Sequence, residues 1–223
     1  MSGVAARLAS IRDRIARAGR DPDEVAIVAV TKGFGVEACR EAMEAGLHVL
    51  GENRVQEALG KMDQVSAGRA QGALPAVEWH LIGHLQTNKV RQAAGRFALI
   101  QTVDTLHLAQ AIATREPSQA VLVEVNVARE PQKSGVPPDE AVELVAAVSA
   151  LLEVRGLMAI GPGHADPAPA FAELRRLRDE ARERTGKPLP VLSMGMSGDF
   201  EAALAAGSTM LRLGQALFGP RPT

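Results

Sequence analysis

Lys32 is the residue best placed for covalent chemistry. It follows an apolar run at 25–30 and is flanked by Gly33 and Gly35. A lysine in a dry mouth gives up its proton more readily than in water, and the neutral amine attacks an aldehyde to form a Schiff base. Taken alone, the same lysine reads better as a solvated residue closing a strand. Far along the chain, Ser193-Met194-Gly195-Met196-Ser197-Gly198-Asp199 runs from an apolar stretch into a helix start. Free N–H groups and the helix dipole favour an anion there. Ser197 by itself fits a simple N-cap better. The final run, 210–213, leads into Gly214-Gln215, with a glycine where a phosphate oxygen could approach main-chain amides. A lysine on one rim and a phosphate cup on the other suggest a phosphorylated carbonyl compound. Arg212 sits two residues before Gly214. Its guanidinium stays protonated near neutral pH, so against a ring nitrogen it would donate and keep that nitrogen unprotonated. The competing reading is a surface arginine with a helix partner.

Other polar clusters carry less. Gly51-Glu52-Asn53-Arg54 reads as a turn into a helix and fits capping chemistry. His80 and His84 have a spacing that suggests a metal, but a strand and loop do not present it as one helical face does, and no third ligand stands in an obvious place. The stretch from Gly83 to Lys89 is dense in polar donors, and Asn126, Glu130 and Lys133 fit an ordinary polar loop. Cys39 is the only cysteine, which excludes an intramolecular disulfide and a multi-cysteine zinc site. Its place in a helical stretch predicts packing.

The elements that must position these residues are short apolar runs at 25–30, 48–50, 77–82, 97–100, 121–125, 154–159, 190–192 and 210–213. Their nearly continuous hydrophobicity is the pattern of strands covered on both faces. Helical spacing predicts helices over 36–45, 104–115, 137–152 and 166–185, the last closed by Gly186, and a short Ala-rich helix stopped by Gly207. A further helix over 2–18 precedes the first strand. Each of the first seven strands is followed by a helical stretch, with no linker or composition break, so residues 1–223 read as one domain. Eight strands in a chain of this length predict a single (β/α)8 barrel with an extra N-terminal helix, a doubly wound open sheet being the rival. The barrel requires functional residues at the carboxyl ends of several strands, where Lys32 and Gly214 stand.

Composition narrows the function. The chain balances 25 Lys+Arg against 26 Asp+Glu, which leaves no basic face for nucleic acid. With one Trp, five Phe and no Tyr, stacking platforms for single strands are hard to build. The apolar runs are far shorter than the ~20 residues of a membrane-spanning helix. Residues 1–20 carry alternating charge, so no secretory signal is legible and a reducing cytoplasm is expected.

Together, Ala29-Val30-Thr31-Lys32, Gly51-Glu52-Asn53-Arg54, the stretch from Trp79 to Lys89, Val123-Glu124-Val125-Asn126, the stretch from Ser193 to Asp199 and Leu211-Arg212-Leu213-Gly214 resemble the pyridoxal phosphate homeostasis protein family, over nearly the whole chain. The resemblance implies a barrel similar to the N-terminal domain of alanine racemase, the fold type III of pyridoxal phosphate (PLP) proteins, binding PLP as an internal aldimine. By that resemblance Lys32 is the Schiff-base lysine. Ser197, Gly214 and the backbone N–H of Gln215 hold the phosphate, Arg212 faces the pyridine nitrogen, and Asn53, Ile82 and Met194 line the cofactor. Many relatives carry Ser in place of Thr31, and Thr or Ser in place of Gln215. The second departure leaves only a main-chain phosphate contact at Gln215.

The related racemases use a second base, a tyrosine from an added β-domain. This sequence has no tyrosine, and nothing follows Thr223 to form such a domain. The expectation is therefore a cytoplasmic, monomeric carrier that buffers PLP or delivers it to PLP-dependent apo-enzymes, with no catalytic residues and no metal. The alternative is a PLP-dependent amino-acid racemase or lyase. A phosphosugar enzyme with a Schiff-base lysine ranks third, and a nucleic-acid module is a distant fourth.

Overall fold

The computed structural model describes residues 3–70 and 76–220. Eight strands form one closed, all-parallel barrel in sequence order, β1 pairing with β8 to complete it. The strands are β1 (Ala26–Val30), β2 (Val49–Glu52), β3 (Glu78–Leu81), β4 (Leu99–Val103), β5 (Ala120–Glu124), β6 (Glu153–Met158), β7 (Val191–Ser193) and β8 (Met210–Leu213). The helices are α1 (Val4–Arg17), α2 (Val36–Glu44), α3 (Val55–Ala70), α4 (Val90–Ala93), α5 (Leu106–Arg115), α6 (Pro138–Ser149), α7 (Ala168–Thr185), α8 (Phe200–Ala205) and α9 (Gln215–Phe218). The closed sheet excludes the doubly wound rival. All eight apolar runs became strands because each is covered by helices outside and by the barrel interior inside.

Two helices are shorter than the alternating pattern demands. After β3 there is only a 3-10 turn, Thr87–Lys89, and the one turn of α4. The chain leaves α4 through an extended Ala94 and a left-handed Gly95 at φ 76°, which ends it. After β8, α9 is again a single turn. The seam between β8 and β1 is covered instead by α1, which packs on α2, α8 and α9 and buries Val4, Ile11 and Ile15. Arg14 lies 4.2 Å over the Phe200 ring, and Arg7 donates to the Leu217 carbonyl at 3.1 Å. The extra N-terminal helix thus does the work of the missing eighth one. Ser2, where that helix was expected to start, lies outside the described residues.

Alternation along each strand divides the core. Val28, Leu99, Ala120, Leu122, Met158 and Met210 form one cluster inside the barrel. The larger clusters fill the layer between strands and helices.

Candidate functional site

A cavity of about 320 Å³ opens at the carboxyl ends of the strands. It is lined by Val30 and Lys32 at the end of β1, Asn53 after β2, Ile82 after β3 and Ile160 after β6. Met196, Ser197 and Gly198 after β7, and Arg212, Gly214 and Gln215 on and after β8, complete it. Seven of the eight expected binding residues meet here: Lys32, Asn53, Ile82, Ser197, Arg212, Gly214 and Gln215.

Met194 is the exception. It is fully buried and packs with the cluster that contains Phe171, Leu174 and Ala203, in the helix-facing layer. The cause is the two-residue period of the strand. Ser193 points inward, where its hydroxyl meets Gln101 and Arg212, so Met194 must point outward. Met196, two residues on, lines the cavity instead. Val30, Ile160 and Gly198 also line it, and sequence reading did not single them out for this role.

Close backbone approach shapes the rim. A Cβ on Gly83 would lie 2.3 Å from the Asn53 carbonyl oxygen, so only glycine lets the turns after β2 and β3 pass at the distance that places Asn53. A Cβ on Gly214 would stand 3.2 Å from the Val30 carbonyl oxygen, in the space between β8 and β1. Ser197 is not the N-cap of α8; Asp199 occupies that position. Its hydroxyl oxygen instead accepts the Ala216 N–H at 3.1 Å, which joins the loop after β7 to the start of α9. Asp199 holds its own loop by accepting the Met196 N–H at 2.6 Å.

The cavity wall on β8 rests on a polar layer inside the barrel. Arg212 donates from Nη1 to the Ser193 carbonyl and hydroxyl oxygens, each at 2.7 Å, and from Nη2 to the Ala159 carbonyl at 2.7 Å. The Ser193 hydroxyl donates onward to Gln101 Oε1 at 2.7 Å, and Gln101 Nε2 lies 3.0 Å from His80 Nδ1. With Gln101 oriented in this way, Nδ1 of His80 is the acceptor and the ring proton sits on Nε2. Burial, with a smaller push from Arg155, lowers the His80 pKa to about 4, so the ring is neutral. His84 stays at the surface with Asp104 3.5 Å away, and the two histidines share no site. Burial brings Arg212 down to about 10 against the pull of Glu124 and Asp199, which leaves it protonated at neutral pH. Glu124, at the end of β5, is 4% exposed, and its Oε2 has no hydrogen-bond partner. Burial and then Asp104 raise its pKa to about 7, opposed by Arg212.

The Cys39 thiol is buried and pushed up to about 11 by desolvation, in keeping with a packing role. A larger groove of about 670 Å³ lies between Asp179 and Pro188. It sits where the chain enters β7, on the face opposite the strand carboxyl ends, and gathers none of the candidate residues.

Comparison with known proteins places this geometry. The family profile described as "Alanine racemase, N-terminal domain" matches residues 6–222. A solved alanine racemase from Corynebacterium glutamicum superposes with a TM-score of 0.74 at 18% identity, covering 98% of this chain and 60% of that one, a likeness of fold. These define the class: a parallel (β/α)8 barrel of the alanine racemase N-terminal type. The curated pyridoxal phosphate homeostasis protein of Escherichia coli K12 is 40% identical over 233 residues, covering 99% of this chain and 98% of that protein. The structure of PipY from Synechococcus elongatus with PLP bound superposes with a TM-score of 0.84 at 34% identity, covering 97% of this chain and 100% of that one. The chain belongs to the pyridoxal phosphate homeostasis protein family.

Proposed function

We propose that this protein holds pyridoxal 5'-phosphate in the cavity at the strand carboxyl ends, anchored on Lys32, and buffers or delivers it without a dedicated reaction. The observation that carries this reading is the convergence of Lys32, Arg212, Ser197, Gly214 and Gln215 on one cavity from the ends of the neighbouring strands β1, β8 and β7. The name of the Escherichia coli relative and the PLP bound in PipY support it. The residues fit the group. A volume of about 320 Å³ lies at the small end of ligand pockets, which run from roughly 300 Å³ upward. The absence of a side chain at Gly214 leaves the cradle between β8 and β1 open.

When bound, PLP supplies an aldehyde that condenses with a primary amine. The chain supplies the amine at Lys32 after β1 and, at the ends of the neighbouring strands β8 and β7, main-chain amides at Gly214 and Gln215 and the Ser197 hydroxyl for the phosphate. Ile82, Ile160 and Met196 give the walls apolar surface. Arg212, fixed by Ser193 and Ala159, keeps its proton at neutral pH, so the wall it forms donates a hydrogen bond without giving a proton up to a ring nitrogen. A committed racemization needs a second proton-transfer group facing Lys32. The sequence has no tyrosine for that role, and Glu124 is not among the lining residues.

The reading treats residues 1–223 as one PLP-binding domain acting as a cytoplasmic monomer, with PLP-dependent apo-enzymes as recipients. No helix among the described residues is long and apolar enough to cross a membrane. The test is a visible spectrum after PLP is added, together with incubation with L-amino acids. The wild type gains a visible band that Lys32→Ala lacks while staying folded, and enantiomer composition stays constant. A band retained in the variant rejects Lys32, and sustained turnover establishes the racemase or lyase alternative.

A further inference from the structure

Beneath the segment that carries Lys32 lies a buried cluster of charges from β2 and α3. Lys61 on α3 is only 6% exposed, yet its ammonium reaches three acceptors. It donates to the Thr31 carbonyl at 2.8 Å, to Glu52 Oε1 at 2.6 Å and to Glu57 Oε1 at 2.9 Å. The Thr31 hydroxyl donates to the same Glu52 oxygen at 2.6 Å, and the Gly33 N–H donates to Glu57 Oε1 at 3.0 Å. The residues on either side of Lys32 are therefore tied to one ammonium, Thr31 directly and Gly33 through Glu57. Glu57 and Lys61 stand one helical turn apart, so α3 presents both to the segment together. A buried ammonium is tolerated only where such acceptors satisfy it.

We propose that Lys61 and Glu57 are positioning residues for the cofactor anchor, holding the backbone on both sides of Lys32 in place before any ligand arrives. This rests on the reading of Lys32 as the anchor. Neither residue lines the cavity, so any effect on cofactor binding passes through the backbone at Thr31 and Gly33. Preorganisation of this kind raises affinity because binding need not order the segment. The same contacts suppress Lys61 as a rival amine. Burial alone would lower its pKa, but the hydrogen bonds it donates to Glu52 and Glu57, with their charges, outweigh burial and hold it above the ordinary lysine value. Protonated and fully engaged, it is not a nucleophile.

Glu57 is the residue to change, because its side chain is partly exposed and Lys61 keeps Glu52 and the Thr31 carbonyl as acceptors without it. Glu57→Gln keeps an oxygen for the Gly33 N–H, whereas Glu57→Ala removes it. Two readouts are taken: amide hydrogen exchange at Gly33 in the ligand-free protein, and the dissociation constant for PLP by visible titration. Wild type and Glu57→Gln should show a protected Gly33 amide and affinities within about threefold of each other. Glu57→Ala should lose the protection and weaken binding by roughly fivefold to tenfold, the equivalent of one hydrogen bond. Wild-type affinity in Glu57→Ala, an equal loss in Glu57→Gln, or an unprotected Gly33 amide in the wild type would each overturn the proposal. Loss of the anchor reading itself would show separately, as PLP attachment unaffected by Lys32→Ala, because the exchange measurement contains no cofactor.

Discussion

Two buried residues in the barrel titrate in opposite directions. Glu124 binds its proton up to about pH 7 in the fold, against an ordinary carboxyl value of 4.5. Between those pH values the folded state holds more protons than the unfolded chain, so this carboxyl lowers stability as pH rises through the window. His80 is lowered from 6.5 to about 4, so there the unfolded chain holds the extra proton and stability rises with pH. Each contribution amounts to about 3 kcal/mol, and from pH 4.5 to 6.5 the two offset one another. Glu124→Gln should unmask the histidine. Relative to wild type, its unfolding free energy by urea should rise by about 3 kcal/mol from pH 4.5 to pH 7. Parallel curves for the two proteins would show that Glu124 does not titrate in this range. Replacing His80 should do the reverse, leaving a protein whose stability falls as pH rises from 4.5 to 7. None of this was legible in the sequence. His80, Gln101, Ser193 and Arg212 come from four different strands, and their contact depends on barrel register that no local pattern encodes. Lys32 and Arg212 could be singled out because a charged residue just after or inside an apolar run needs a reason to be there.

Among the elements, the strands were legible and their carboxyl ends less so. β2 runs on through Glu52, and β4 through Gln101, Thr102 and Val103, beyond the apolar runs that marked them. These polar residues stay in the sheet because they are buried with partners: Glu52 with Thr31 and Lys61, Gln101 with His80 and Ser193, Thr102 with the Gly83 carbonyl. The functional ends of barrel strands are therefore where apolar patterning runs out. Met194 falls outside the cavity for a related reason, since motif position does not say which face a residue takes: the two-residue period sets it behind Ser193, and beyond the left-handed Gly195 the period no longer holds and Met196 lines the cavity. The loops after β7 and β8 are coupled through the Ser197 hydroxyl and the Ala216 N–H. Ser197→Ala removes that link and a hydroxyl from the phosphate side of the cavity. Stability should fall by about 1 kcal/mol in urea unfolding. PLP affinity should fall about tenfold in a visible titration, because a hydrogen bond to a charged group is lost as well. Unchanged affinity would place the phosphate elsewhere.

For the whole molecule, eight covered strands were enough to read a barrel, and the closed sheet follows from them. The N-terminal helix was legible as an element, but its task was not. Only the one-turn α9 reveals that α1 must cover the seam between β8 and β1. The cavity then gathers residues from strands far apart in sequence, and because the barrel closes β8 onto β1, Lys32 and the Gly214–Gln215 turn stand on neighbouring strands and not on the opposite rims expected from the sequence. The account makes Lys32 the anchor among five lysines, with Lys61 occupied in the buried cluster. The most direct measurement adds PLP to the purified protein, reduces it with borohydride, digests it and maps the modified lysine by mass. The account predicts the label on Lys32. Label on Lys61, Lys89, Lys133 or Lys187 with Lys32 unmodified would contradict it.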